Sequence, residues 1–405
     1  MELDSKSRKR AFIYFLGAAA LTALALGISE SLYGNYYKEV YNITPFQRGF
    51  IEFPRELPGF ICVAVISMFP FLGEIRLAII AQILSVIGLL LLGIFTPPFS
   101  IMLVFLFVNS MGMHLYMPLA DSIGLNIIGT ENTGRKFGIM NGVRTAAGFV
   151  AAMIVFFGFR SGVFSFSKDV IHIFLIATVL FAVVAVILLK IRKIIGDPVI
   201  STGKGRFLFR REYKYYYILA SLHGAHKQIA VVFGPWVLID ILLKQADTLA
   251  VLSMIGMFLG VFFIPLVGKL VDRFGTRKMI FSEGISYIAV YVLFGIFSSG
   301  LVSGGFAAAG IPVLVIYILI IIDRMTMQLG MVRALYLRSI VRDKSEISPT
   351  LSTGMSIDHV ISIVCAVLGG LAWSSLGPQY VFYTAAALSL INVLVATRLP
   401  KRVES

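Results

Sequence analysis

Charge is what this sequence has least of. Only 14% of its 405 residues are Asp, Glu, Lys or Arg, where a soluble domain carries about 25%. That shortage excludes an ordinary water-soluble domain. Cysteine is also scarce. Cys62 and Cys365 are the two in the chain, and both lie in apolar runs. There is therefore no disulfide framework and no Cys/His spacing of the zinc type. Two-residue alternation is missing from apolar stretches such as Ser85–Phe95 and Val170–Leu189, which argues against a β-barrel. Nucleophile–base pairs, HExxH, a phosphate-binding Walker loop and a protease-type Asp dyad are all lacking. An enzyme, a resident cofactor and intrinsic ATP-driven chemistry are accordingly not expected.

What the chain has instead is grease of helical length. Hydrophobic residues make up 58%, and the mean hydropathy is +0.90. A membrane-crossing helix needs roughly 20 apolar residues. Segments near 11–35, 46–70, 77–96, 98–122, 137–159, 169–190, 214–242, 247–267, 279–299, 311–336, 350–375 and 379–398 meet that rule. The first is too long and too glycine-punctuated for a signal-peptide core, so it reads as a retained span. The expected fold class is an all-α membrane protein with twelve spans.

Acidic residues number 21 against 35 basic ones, a net charge of +14. Nucleic acid is not the implied partner, because the basic residues are sorted by side. With the N-terminus inside, only Lys38, Arg48, Arg160, Lys168 and Lys244 fall in outer loops. Most of the others occupy inner tails and loops, the positive-inside pattern. Both termini are thus expected in the cytoplasm of an inner-membrane protein bathed in lipid.

The longest basic interruption, KIRKIIGDPVISTGKGRFLFRREYKYY, follows the sixth span. It divides the chain into a bundle at 1–192, a cytoplasmic linker at 193–213 and a second bundle at 214–405. A weak internal repeat supports the cut. Met111, Met113, Leu115 and Met117 recur as Met325, Met327, Leu329 and Met331 at one constant offset. GIMNGVRT in the fifth span likewise answers TGMSIDHV in the eleventh. Repeated helical units are a common transporter plan. The third, sixth, ninth and twelfth spans are almost free of ionisable residues, so these are expected to face lipid while the rest surround a polar interior.

Between the eighth and ninth spans stands GKLVDRFGTRK, residues 268–278. This resembles the cytoplasmic signature of the major facilitator superfamily. Gly268 and Gly275 suit a tight turn, and Arg277 and Lys278 hold the loop inside. The resemblance implies twelve helices in two pseudo-symmetric six-helix halves. It also implies a latching role for Asp272, supported by Arg273 and Arg277. The first-half counterpart, FLGEIRLAI, keeps Gly73 and Arg76 but lacks the Asp-Arg pair, so a latch there is asymmetric or lost. The fifth span lacks the glycine-proline motif of the family's drug/proton antiporters. The fourth lacks the Arg-x-x-Gln-Gly pattern linked to proton coupling. EFPRELPGF and SPTLSTGMSIDH resemble a bacterial subgroup of that superfamily with no assigned substrate.

An ionisable side chain at a span centre costs about 2.5–3.5 kcal/mol or more, so those present need a reason. In LHGAHKQIAVVFGPWVLI, residues 222–239, His223, His226 and Lys227 share an i, i+3, i+4 stripe. Phe233-Gly234-Pro235 is expected to break that helix just beyond. Cavity lining and satisfied core histidines are the two readings. Gln228 and Asn35 are candidate cavity hydrogen-bonders. In the tenth span Arg324 and Gln328 share a face, with Asp323 as counter-ion or proton carrier. That set suits an anionic or hydroxylated solute, or only neutralises itself. Glu52, Arg55 and Glu56 form a stripe on the second span, with Glu56 a candidate proton-coupling acid or part of a structural triad. Arg144 and Asp358 occupy nearly repeat-equivalent positions and are candidates to pair across the halves.

These readings together point to a secondary transporter of a small polar, neutral-to-anionic organic solute. It would work as a monomer, driven by protons and operating by alternating access. The competing classes are a drug or metabolite efflux pump and a divalent-metal exporter using the seventh-span histidines.

Overall fold

The computed structural model describes residues 5–128, 133–166, 171–197, 208–341, 343 and 346–399. Residues 198–207, the middle of the expected linker, lie outside that set, as does Lys168. The described residues are almost entirely helical and contain no strand. Two compact units emerge: Met1–Tyr41 with Pro54–Gly205, and Asn42–Phe53 with Arg206–Ser405.

The first unit is built from α1 (Ser5–Tyr41), the later part of α2 (Pro45–Met68), α3 (Glu74–Phe95), α4 (Phe99–Ile128), α5 (Thr133–Arg160) and α6 (Ile171–Ile195). Helix α1 packs on α5 and α6, and α3 packs on α4 and α6. Small residues permit this closeness. Gly112 of α4 sits where a Cβ would lie 2.4 Å from the Ala81 carbonyl of α3. Phe15, Ile75, Leu115 and Ile191 fill the space between.

The second unit holds α7 (Lys214–Gln228), a single turn α8 (Gly234–Trp236), α9 (Ala246–Val302), α10 (Ile311–Gln328), α11 (Met331–Ile340), α12 (Ile347–Ser375) and α13 (Pro378–Arg398). Helix α7 packs on α12, and α9 packs on α10 and α13. The start of α2 belongs here rather than with the first bundle. Gly49 lies so close to α12 that a Cβ would come within 2.1 Å of the Ala366 carbonyl, and the Phe46 amide donates to Ser374 Oγ at 3.0 Å.

Among the described residues nine helices are long and apolar enough to cross a membrane. The 57-residue α9 contains two of the expected spans, and Gly275 interrupts it at φ 80°, ψ 161°. Gly73 adopts nearly the same pair of angles, φ 77°, ψ 161°, before α3. Gly268, expected to share the turn, is instead within the first limb of α9. The stretches at 46–70 and 214–242 are not among the nine, the former being interrupted by Arg48, Glu52, Arg55 and Glu56. Exposed apolar side chains cover the almost charge-free helices, as with Val179, Val183 and Val186 of α6. They also cover α5 at Phe157 and the first limb of α9 at Phe258 and Phe262, so that feature is not confined to every third span.

FLGEIRLAI lacks the Asp-Arg pair, and an aspartate reaches this turn from elsewhere. Asp197, two residues past α6, accepts the Ile75 amide at 2.9 Å. It also meets Arg76 at 3.1 Å and Arg192 at 3.2 Å. An acid over the first amides of α3 satisfies orphan donors and complements the helix dipole. Asp197→Ala is expected to cost about 1 kcal/mol, the usual value of a lost cap. The check is the thermal midpoint of the purified variant, and an unchanged midpoint would remove this role.

Candidate functional site

Helix α7 does not break where the sequence suggested. Beyond Gln228 it widens into a π turn, Ile229–Phe233, passes through α8, and widens again over Val237–Ile241. Leu242 N reaches back to the Val237 carbonyl at 3.1 Å. A π turn bonds each amide one residue further back than an α turn. The segment thereby absorbs Pro235, which has no amide to give, without a chain break. Two π turns flanking a proline in the second unit mark this as a specialised stretch.

The stripe of polar residues just before it is divided between neighbours. His226 is 1% exposed. Its Nε2 lies 2.9 Å from Ser389 Oγ of α13, and its ring stacks 4.1 Å from Tyr287 of α9. Lys227 turns instead to α12, where Nζ donates to Asp358 Oδ2 at 3.1 Å. His223 sits beside Gly330 and Arg333, with its Nδ1 buried and unpartnered. The three therefore do not converge on one point, and His226 is a core histidine with its own partners. Adjacent helical residues project about 100° apart, and the i, i+3, i+4 rule ignored that spread between 226 and 227.

Gln228 has the most unusual environment. It is 1% exposed, and neither Nε2 nor Oε1 has a hydrogen-bond partner. It lines a cavity of about 270 Å³ together with Phe233, Cys365, Gly369 and Thr384. Buried amides are normally bonded, so an unpartnered one beside a cavity asks for a ligand or water.

Asp323 and Arg324 separate in the same way. Asp323, 1% exposed, accepts the Tyr291 hydroxyl at 3.1 Å. Arg324 donates to Ser253 Oγ at 2.8 Å. The first partner is on the second limb of α9 and the other on the first limb. Gln328 closes α10, where Leu329 and Gly330 bond back three residues to Thr326 and Met327. Tyr287 and Tyr291 stack at 5.3 Å and join His226 to Asp323 by ring contact and hydrogen bond. Sequence reasoning missed both tyrosines. Their i, i+4 spacing on the ninth span was the available signal.

The second-span stripe also divides. Glu52 pairs with Arg48 at 2.7 Å in the second unit, their side chains 2% and 5% exposed. Arg48 rests 5.9 Å from the Trp236 ring, so it is not the outer-loop residue the charge pattern suggested. In the first unit Arg55 binds Glu30 of α1 beneath the Tyr33 ring. Glu56 is half-buried on the same helix. Asn35 donates to Glu39 at 3.2 Å.

Arg144 and Asp358, candidates for a cross-half pair, each have a partner within their own unit. Arg144 grips Asp121 Oδ1 through both terminal nitrogens at 3.0 Å, and Asp358 takes Lys227. Asp272 and Arg273 are exposed just before the Gly275 turn, with Arg277 half-buried just after it. Among the described residues no three His, Cys, Asp or Glu side chains gather as metal ligands do.

Comparison with known proteins gives a fold and no nearer relative. No family profile matches the chain, and no curated protein sequence does. Solved structures do match over nearly its whole length. A variant of the nucleoside transporter NupG superposes with a TM-score of 0.79 at 14% identity, covering 96% of this chain and 99% of that one. The chain shares the fold of that structure. A POT family transporter in complex with a thioalcohol-conjugated peptide gives a TM-score of 0.74 at 11% identity, covering 96% and 95% of the two chains. A bacterial homologue of the iron transporter ferroportin, inward-facing, gives 0.69 at 13%, covering 96% and 98%. The major facilitator resemblance of GKLVDRFGTRK is consistent with this likeness of fold to solved transporters.

Proposed function

We propose that this chain is a secondary transporter of the major facilitator type, moving a small polar, neutral-to-anionic organic solute across the cytoplasmic membrane. Twelve crossings in two pseudo-symmetric halves, 1–192 and 214–405, with the 193–213 linker and both termini inside, complete the reading. The protein acts as a lipid-embedded monomer by alternating access, coupled to protons. Support comes from the fold and from one observation above others, the unpartnered Gln228 amide beside the cavity that follows the Lys227–Asp358 pair.

In this reading Gln228 meets the solute. Lys227, Arg324, Gln328 and His223 of the same unit tune the polarity around it, and His226 positions Tyr287; Asn35, in the first unit, remains a candidate hydrogen-bonder there. Glu56 and Asp323 are the candidate proton carriers. Arg55, Arg144 and Asp358 act through their ion pairs on gating, whereas Glu52, a gating candidate from the sequence, holds the fold through its buried pair with Arg48. By resemblance, Asp272 with Arg273 and Arg277 forms the cytoplasmic latch.

Gln228→Leu keeps the side chain's size and removes its polarity. It is expected to lower solute affinity at least tenfold, about 1.4 kcal/mol, with little change in the folded yield. A thermal-shift panel of sugars, organic acids and nucleosides on wild type and variant reads this directly, and equal shifts in both would remove Gln228 from the site. Proton coupling has its own test. Uptake into vesicles is expected to fall when the proton gradient is collapsed and in Glu56→Gln or Asp323→Asn. Transport indifferent to the gradient would end that part of the reading.

A further inference from the structure

A second cavity, of about 190 Å³, lies inside the first unit among α1, α3, α4, α5 and α6. Apart from the Arg144–Asp121 pair, none of its residues enters the transport reading above. Three of them bury a polar oxygen that has no hydrogen-bond partner: Thr22 Oγ1, Gln82 Oε1 and Tyr116 OH. The residues are 8%, 1% and 5% exposed. The Thr22 and Tyr116 hydroxyls interact with each other without reaching full hydrogen-bond geometry, and such a contact engages only one of the two hydroxyl hydrogens, leaving the other to donate. Unpaired polar groups in an apolar interior are costly and rare. Three from three different helices, all lining one void, are the mark of a prepared site.

We propose that this cavity is a binding site for a small neutral ligand carrying an amide or lactam group. The chemistry follows from the donors and acceptors. The Gln82 oxygen only accepts, and a hydroxyl can donate. An amide presents an N–H and a C=O on adjacent atoms, one for each side. Most of the remaining wall is apolar, with Ala19, Ala23, Leu26 and Phe181, which suits a hydrocarbon body. The Ser85 hydroxyl there is already bonded to the Ala81 carbonyl at 3.2 Å. The charges at the rim favour neutrality, because Arg144 and Asp121 already satisfy each other at 3.0 Å. Size sets the last limit. A cavity of roughly 150 Å³ accepts benzene, so a six-membered lactam fits and a disaccharide does not.

The probe is 2-piperidinone, titrated against the full-length protein in detergent, with binding read by thermal shift and by equilibrium dialysis. Wild type is expected to bind it saturably. Cyclohexanone, which keeps the ring and the carbonyl but lacks the N–H, is expected to bind at least tenfold more weakly. Tyr116→Phe and Gln82→Leu each weaken 2-piperidinone at least tenfold, and Ala23→Phe, which fills the void, abolishes binding. Should Gln82→Leu fail to fold, Tyr116→Phe retains the ring and carries the test. Absence of saturable binding to wild type, which is the outcome for a void holding only water, overturns the proposal. So does equal binding of cyclohexanone, or unchanged binding in Tyr116→Phe. No gradient enters the measurement, so its failure is separate from any failure of transport.

Discussion

Glu52→Ala is expected to unfold much of the protein, whereas Glu56→Gln is expected to leave it folded. The Arg48–Glu52 pair is sealed, with side chains 5% and 2% exposed at 2.7 Å. Removing the acid takes the carboxylate at 2.7 Å away from a buried guanidinium that rests over the Trp236 ring. Breaking a buried ion pair costs about 3–5 kcal/mol, because the surviving charge keeps its desolvation penalty. The loss exceeds that of an exposed pair, whose worth is about 0–1 kcal/mol. Arg48→Met with Glu52→Leu removes both charges and should recover most of the stability. Thermal unfolding of the two singles and the double decides the matter. A Glu52→Ala protein as stable as wild type would show that water reaches Arg48 and that the pair is not sealed. For Glu52 the expected defect is therefore structural, and any loss of transport should track the loss of folded protein.

The second large effect is at Lys227–Asp358. These side chains are 19% and 16% exposed, so the penalty for one stranded charge is smaller than at Arg48 and is put at about 2 kcal/mol. Function should respond more than stability. Lys227→Met with Asp358→Leu is expected to fold close to wild type yet carry solute at least tenfold more slowly, if the pair that joins α7 to α12 gates transport as proposed. Gly224 makes that junction tight. A Cβ there would lie 2.4 Å from the Asp358 carbonyl, and Ser362 Oγ donates to the Gly224 carbonyl at 3.1 Å. Transport by the double variant equal to wild type would reduce the pair to simple neutralisation.

The fold was legible because lipid imposes a single demand on every span. Apolar runs of helical length and the glycine turn in GKLVDRFGTRK are local, and Gly275 confirms the turn at φ 80°. Partner choice is not local, and there the sequence was a poor guide. Spacing grouped His226 with Lys227 because both follow His223 at helical intervals, yet one side chain goes to α13 and the other to α12. Side sorting of charge placed Arg48 in an outer loop, while Glu52 four residues on gave it a buried partner. Proline chemistry predicted a break after Phe233. The chain had a second solution, a pair of wider turns that carry it past Pro235 without a break. Thr22, Gln82 and Tyr116 carry no pattern at all, since they come from three helices and meet only through packing. Asp197 lay in what reads as a linker, and only its contact with the α3 amides shows a cap.

One measurement bears on the central claim more directly than the rest: solute uptake into vesicles containing the purified protein, with and without an imposed proton gradient, comparing wild type with Gln228→Leu. The account predicts that the gradient concentrates a small neutral or anionic organic solute inside wild-type vesicles, and that the leucine variant, equally folded, does so at least tenfold less well. Vesicles in which no such solute moves, or in which both proteins move it alike, would contradict it.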